Sequence, residues 1–139
     1  MNKITILLAE DDDIDAQVLQ REFAKAKIDN KLVRAHDGVE ALDLLRGKGR
    51  EPLSRPVVLL ADINMPQLDG MGLLREIRAD PKLTQTVVFM LTSSDDDRDR
   101  DRAYGYHVAG YVVKSRSDRE MGALMSMLKG YLTVVRPPA

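Results

Sequence analysis

Four short stretches of this sequence end an apolar run on residues that can do chemistry. Ile4-Thr5-Ile6-Leu7-Leu8-Ala9 runs into Glu10-Asp11-Asp12-Asp13, and Val57-Val58-Leu59-Leu60-Ala61 runs into Asp62. Val87-Val88-Phe89-Met90-Leu91 ends on Thr92-Ser93-Ser94, and Gly110-Tyr111-Val112-Val113 ends on Lys114. Carboxylates, hydroxyls and an ammonium are a complementary set. Four adjacent carboxylates repel one another, and a hard divalent cation relieves that repulsion with oxygen ligands, often one or two carboxylates plus water and phosphate. A carboxylate can also attack phosphorus and form an aspartyl phosphate. A threonine hydroxyl can donate to a phosphoryl oxygen, and a lysine is a compact cation suited to neutralising one. Each residue also has a plainer reading. Asp12 or Asp13 can cap a helix, Asp62 can form an Asx-turn toward Pro66, Ser93 or Ser94 can cap the following helix, and Lys114 can be solvated.

The elements that must position these residues follow from the hydropathy pattern. Short apolar runs alternate with amphipathic stretches. Strands are predicted over 4–9, 31–35, 57–61, 87–91 and 110–113. Helices are predicted over 13–27, around Val39, Leu42 and Leu45, and over 69–79 and 95–104. A last helix opens on Ser117-Asp118-Arg119-Glu120, a capping box. Gly47 and Gly49 end the second helix. Five βα units with wholly apolar strands imply a parallel sheet covered on both faces, with right-handed crossovers. In such folds ligands bind at the carboxyl ends of the strands, where these residues fall.

The bulk numbers bound the rest. The chain has 139 residues, 44% of them hydrophobic and 31% charged, which suits one domain with one core and a solvated surface. The 21 basic and 22 acidic side chains give a net charge of −1, which argues against a protein built to hold nucleic-acid backbones. No cysteine is present, so disulfides and thiolate metal sites are excluded. No run approaches a membrane span, and the N-terminus lacks the pattern of a signal peptide, so a cytoplasmic protein is expected. A single domain is expected over 1–139, with its core over about 3–132 and a short tail over 133–139.

These residues resemble a known family, the response-regulator receivers of two-component signalling. The run Asp62-x-Asn64-Met65-Pro66-x-x-Asp69-Gly70 is its signature, and the spacings of 30 residues from Asp62 to Thr92 and 22 from Thr92 to Lys114 fit it. The resemblance implies a flavodoxin-like doubly wound sheet of five parallel strands in the order 2-1-3-4-5. It implies that Asp62 is the phosphoacceptor, with Glu10 and Asp11 the acidic pair. Mg²⁺ would be held by Asp11, Asp62 and the Asn64 backbone carbonyl, beside Glu10. Thr92 is similar to the family's switch hydroxyl, Tyr111 to its switch aromatic and Lys114 to its lysine. The donor would be a histidine of a sensor kinase. The long loop before the third strand, Lys114-Ser115-Arg116 and the apolar end of the last helix make the chain most similar to regulators of bacterial phytochrome-type kinases. Many receivers have proline after the lysine. Here it is Ser115, and a cis bond before a non-proline costs roughly 2.5–4 kcal/mol, so a trans bond is expected.

Two further surfaces stand out. Asp95 to Arg102 carries no apolar residue, so it is either a solvated helix face or a movable, charged interface beside Thr92. The last helix carries Met121, Leu124, Met125, Leu128 and Leu132 as a core stripe. Met127, Tyr131, Val134 and Val135 extend its apolar surface and suggest a homodimer contact. His36 and His107 do not look like a phosphodonor or metal ligands. The other classes weighed are an aspartate-nucleophile phosphohydrolase, a relay to a histidine phosphotransfer protein, and a receiver-like module that only binds partners. The phosphohydrolase would need a second aspartate where Asn64 stands. The protein is therefore expected to catalyse only its own phosphorylation and dephosphorylation, not the turnover of a free substrate.

Overall fold

The computed structural model describes residues 3–115 and 117–139, so that Met1, Asn2 and Arg116 lie outside the described residues. The order of elements is β1 (Thr5–Ala9), α1 (Asp13–Lys25), β2 (Leu32–Ala35), α2 (Gly38–Arg46), β3 (Val57–Ala61), α3 (Gly70–Ala79), β4 (Val87–Thr92), α4 (Asp97–Gly105), β5 (Gly110–Val113) and α5 (Asp118–Val134). All strands pair in parallel, in the order β2-β1-β3-β4-β5. This is the flavodoxin-like arrangement expected from the sequence. β1 and β3 are buried along their whole length, which is why they read as unbroken apolar runs.

Two apolar layers sandwich the sheet. One joins α2 and α3 to alternate strand residues such as Leu7, Leu59 and Met90, with Leu73, Leu74 and Ile77 in full contact. The other joins α1 and α5 to Ile6, Leu8, Leu60 and Phe89, through Leu19, Phe23, Met125 and Leu128. The period-2 alternation of strand side chains sends neighbours to opposite layers.

Each helix start has a local cause. Asp12, Asp37 and Asp69 cap α1, α2 and α3, each carboxylate accepting from the backbone amide three residues on. Ser117 caps α5 by accepting from the Glu120 amide, while its own amide donates to the Ser115 hydroxyl at 3.1 Å. Gly47 ends α2 at φ 73°, a left-handed turn that glycine adopts without strain.

Two boundaries differ from expectation for physical reasons. α1 stops at Lys25, because Lys27 takes φ 60° to turn the chain. α4 begins at Asp97, two residues late: neither Ser93 nor Ser94 caps it, but Asp96, which accepts from the Arg98 amide at 2.8 Å. Asp96 also pairs with Arg98, and Arg100 with Asp97. In α5, Tyr131 sits edge-on to Phe89 at 5.3 Å and so belongs partly to the core, whereas Met127, Val134 and Val135 are exposed. Lys114–Ser115 is trans, as expected; the cis bond among the described residues is Arg55–Pro56.

One joint ties α3 to the far end of α4. The Arg78 guanidinium donates to the backbone carbonyls of Tyr106, Thr84, Thr86 and His107 at 2.7–3.0 Å. Burial holds it below the usual arginine range. No helix among the described residues is long and apolar enough to cross a membrane.

Candidate functional site

Sheet register sets the site. Ala9 pairs with Ala61, so the next residues, Glu10 and Asp62, leave the sheet side by side. The ladder continues through them: the Glu10 amide donates to Ala35, and the Asp62 amide to Ala9. Thr92 pairs with Val113 one strand over, and the Lys114 amide donates to the Thr92 carbonyl at 2.7 Å. Glu10, Asp62 and Thr92 are buried, with Thr92 fully enclosed.

Gly70 lets the β3–α3 turn close under Asp62. A Cβ on Gly70 would lie 2.2 Å from the Asp62 carbonyl oxygen, and its amide donates to Ile63 at 2.8 Å. The Asp69-Gly70 pair therefore has a steric function: Asp69 caps α3, and Gly70 allows its first turn against the head of β3.

The charges are unequal. Oxygens of Glu10, Asp11 and Asp62 lie within 4.8 Å of one another, with Asp11 exposed beside its two buried neighbours. The Lys114 ammonium reaches in from the end of β5. It donates to Glu10, to Asp62 at 2.8 Å and to Asp15 at 2.8 Å. Burial pushes the Glu10 carboxyl up to about 7, against the pull of Lys114 and with help from the Asp62 charge. Burial also pulls on Lys114, but its bonds to Asp15, Asp62 and Glu10 outweigh that and hold it above the usual lysine range. Three carboxylates thus share one ammonium, with Asp11 beside two of them. An all-oxygen donor set with surplus negative charge is what a hard divalent cation requires, so the residues present fit Mg²⁺.

Asp62 does not form an Asx-turn toward Pro66. Its Oδ1 accepts from the next amide, Ile63, at 2.7 Å, and Oδ2 accepts from Lys114. Asn64 lies exposed two residues farther along the loop. Thr92 Oγ1 accepts from the Ser94 amide at 3.2 Å. Tyr111 is half-buried. Its hydroxyl donates to the Ser94 carbonyl at 2.8 Å, and its amide donates to the Tyr104 hydroxyl at 3.2 Å. Burial raises its phenol above the ordinary tyrosine value, the Ser94 bond opposing this. His36 pairs with Glu40 on the surface.

Three residues were missed in the sequence. Asp15 binds Lys114, and one signal could have found it: it lies one helical turn beyond Asp11, on the face α1 turns to the rim. Arg34 donates to the Glu10 carbonyl at 2.9 Å and pairs with Asp13 at 2.8 Å, fastening the β1–α1 loop to β2. Asp99 accepts from the Ser94 hydroxyl at 2.6 Å. Nothing in the sequence marks the last two: the Arg34 contacts are tertiary, and Asp99 is one aspartate in an unbroken charged run.

An acidic trio and a lysine at the head of a 2-1-3-4-5 parallel sheet define a phosphoryl-accepting signalling domain. The chain belongs to the response regulator receiver domain family, whose model matches residues 6–126. It is 33% identical over 136 residues to the response regulator Rcp1 of Synechocystis sp., covering 96% of this chain and 92% of that protein. The phosphorylated cyanobacterial phytochrome response regulator RcpA superposes with a TM-score of 0.88 at 30% identity, over 100% of both chains. The Mn²⁺-bound form of Rcp1 gives 0.84 at 31% identity, over 99% of this chain and 100% of that one.

Proposed function

We propose that the chain accepts a phosphoryl group onto Asp62 from a histidine of a sensor kinase, and that this kinase is of the phytochrome type. The carrying observation is the placement of Asp62: buried at the head of β3, one oxygen held by an amide and the other by Lys114, beside Glu10 and Asp11. The relation to RcpA and Rcp1 supports the class of kinase.

In the reaction, a carboxylate oxygen of Asp62 attacks phosphorus in line; the P–O bond forms as the P–N bond to the donor breaks. The Ile63 amide and Lys114 fix the orientation of the carboxylate. Glu10, Asp11 and Asp62, with the Asn64 carbonyl, would hold Mg²⁺, which when bound supplies charge neutralisation for the phosphoryl oxygens. Lys114 pairs with the phosphoryl group. The Thr92 hydroxyl donates to a phosphoryl oxygen and is drawn away from the Ser94 amide, and the β4–α4 loop follows, carrying the Ser94 carbonyl to which Tyr111 is bonded. The result is a population shift between two packings of the α4, β5 and α5 surface. The protein catalyses its own phosphorylation and dephosphorylation, and turns over no free substrate. It acts in the cytoplasm.

Incubation with Mg²⁺ and acetyl phosphate, read by intact mass, should add one phosphoryl group to the wild type and none to Asp62→Asn. Labelling that survives in the variant would overturn the assignment.

Output passes to a second copy of the chain through the end of α5. Met127, Val134 and Val135 are exposed there, with Val134 76% accessible. Val134→Glu should turn a dimer into a monomer in light scattering; a variant that stays dimeric would remove this contact.

A further inference from the structure

An ammonium has three hydrogens, and the three contacts of Lys114 use all of them: Glu10, Asp15 and Asp62. None is left for an incoming phosphoryl oxygen. If Asp62 is the acceptor, Lys114 must release a partner before it can pair with the group that Asp62 takes on. The three partners differ in what release costs. The Glu10 side chain is 1% exposed, so water cannot take the place of the ammonium there. The Asp62 contact holds the acceptor carboxylate in place for attack. Asp15 is 35% exposed and lies in the first turn of α1, where water and the helix dipole stabilise a free carboxylate.

We propose that Asp15 is a positioning residue that tethers Lys114 in the unphosphorylated protein and yields it when Asp62 is phosphorylated, so that it sets the rate of phosphorylation. This inference rests on the reading of Asp62 as the acceptor. Asp15 acts in two ways with the same sign. It occupies a donor that the phosphoryl group needs, and it adds a negative charge where an anionic donor must enter. Its location favours this role over simple support of the fold. Its amide is already fixed by the Asp12 carboxylate at 2.9 Å, so the helix start does not depend on its side chain.

The test compares phosphorylation rates by acetyl phosphate at saturating Mg²⁺ for the full chain. Asp15→Asn should phosphorylate about two- to fivefold faster than wild type, the factor expected for releasing a partly exposed ion pair. Asp15→Glu, which keeps charge and reach, should return the rate toward wild type. Asp13→Asn removes the same charge from the same turn without a contact to Lys114, and should accelerate the reaction less than half as much. A structural role would slow the reaction, or leave it unchanged, as stability fell. An unchanged or slower Asp15→Asn overturns the proposal, and so does equal acceleration by Asp13→Asn. Wild-type labelling at Asp62, read in the same experiment, separates this from a failure of the acceptor assignment: without that label, both readings fall.

Discussion

The two ends of the rim are built differently. At the heads of β1 and β3, the buried carboxylates are fixed more than once: Asp62 by an amide, an ammonium and the ladder, Glu10 by Lys114 and the Ala35 carbonyl of β2, and the connecting loop by Arg34. At the head of β4, the structure is thin. α4 buries Ala103, and its first turn is held by exposed charges and by the Ser94–Asp99 bond. Chemistry needs a site that does not reorganise, whereas a response needs an element whose packing can be changed by a few contacts. The fold puts rigidity on the β1–β3 side and compliance on the β4–α4 side, with Thr92 and Lys114 adjoining both.

The contrast can be broken from either side. The largest effect is expected from Gly70→Ala, whose methyl group would press on the Asp62 carbonyl from 2.2 Å. It should cost about 3 kcal/mol in denaturant unfolding. A loss under about 1 kcal/mol would show that the turn beneath Asp62 is softer than described. Lys114→Ala should follow, at about 1–3 kcal/mol without metal, because it leaves Glu10 and Asp62 buried without their cation. Mg²⁺ should restore much of that loss by binding the same carboxylates, and a variant that Mg²⁺ does not stabilise would contradict the cation site. Ser94→Ala should cost only about 0.5–1 kcal/mol. Its signature should instead be faster amide exchange confined to the first turn of α4. Smallest of all, Arg98→Ala removes an ion pair in open solvent and should leave the melting temperature unchanged within error.

The sequence showed the rigid half far better than the compliant one. Val57 to Ala61 could only be an inner strand, and Asp62 followed as the residue at its head. The family signature then supplied the strand order. The start of α4 was less legible because eight charged residues in a row carry no periodicity; which aspartate caps it depends on local backbone geometry. Asp15 was missed, since its importance lies in reaching Lys114, 99 residues away. Arg34 and Arg78 were opaque for a related reason. Their partners are mostly backbone carbonyls of distant segments, which leave no mark in residue type.

The carbonyl contacts of Arg78 also dictate how α4 can move. They hold the segment just beyond its C-terminal end, Tyr106 and His107, while the N-terminal end rests on Ser94 and Asp96. The helix is therefore a lever with its fulcrum at Tyr106. Nine residues at about 1.5 Å each give an arm of about 13 Å, so a tilt of about 5° carries the first turn about 1 Å and leaves the fulcrum still. A rearrangement the size of one hydrogen bond at Thr92 would thus be read out as a displacement of the charged stripe from Asp97 to Arg102, graded from full at its tip to nothing at its base.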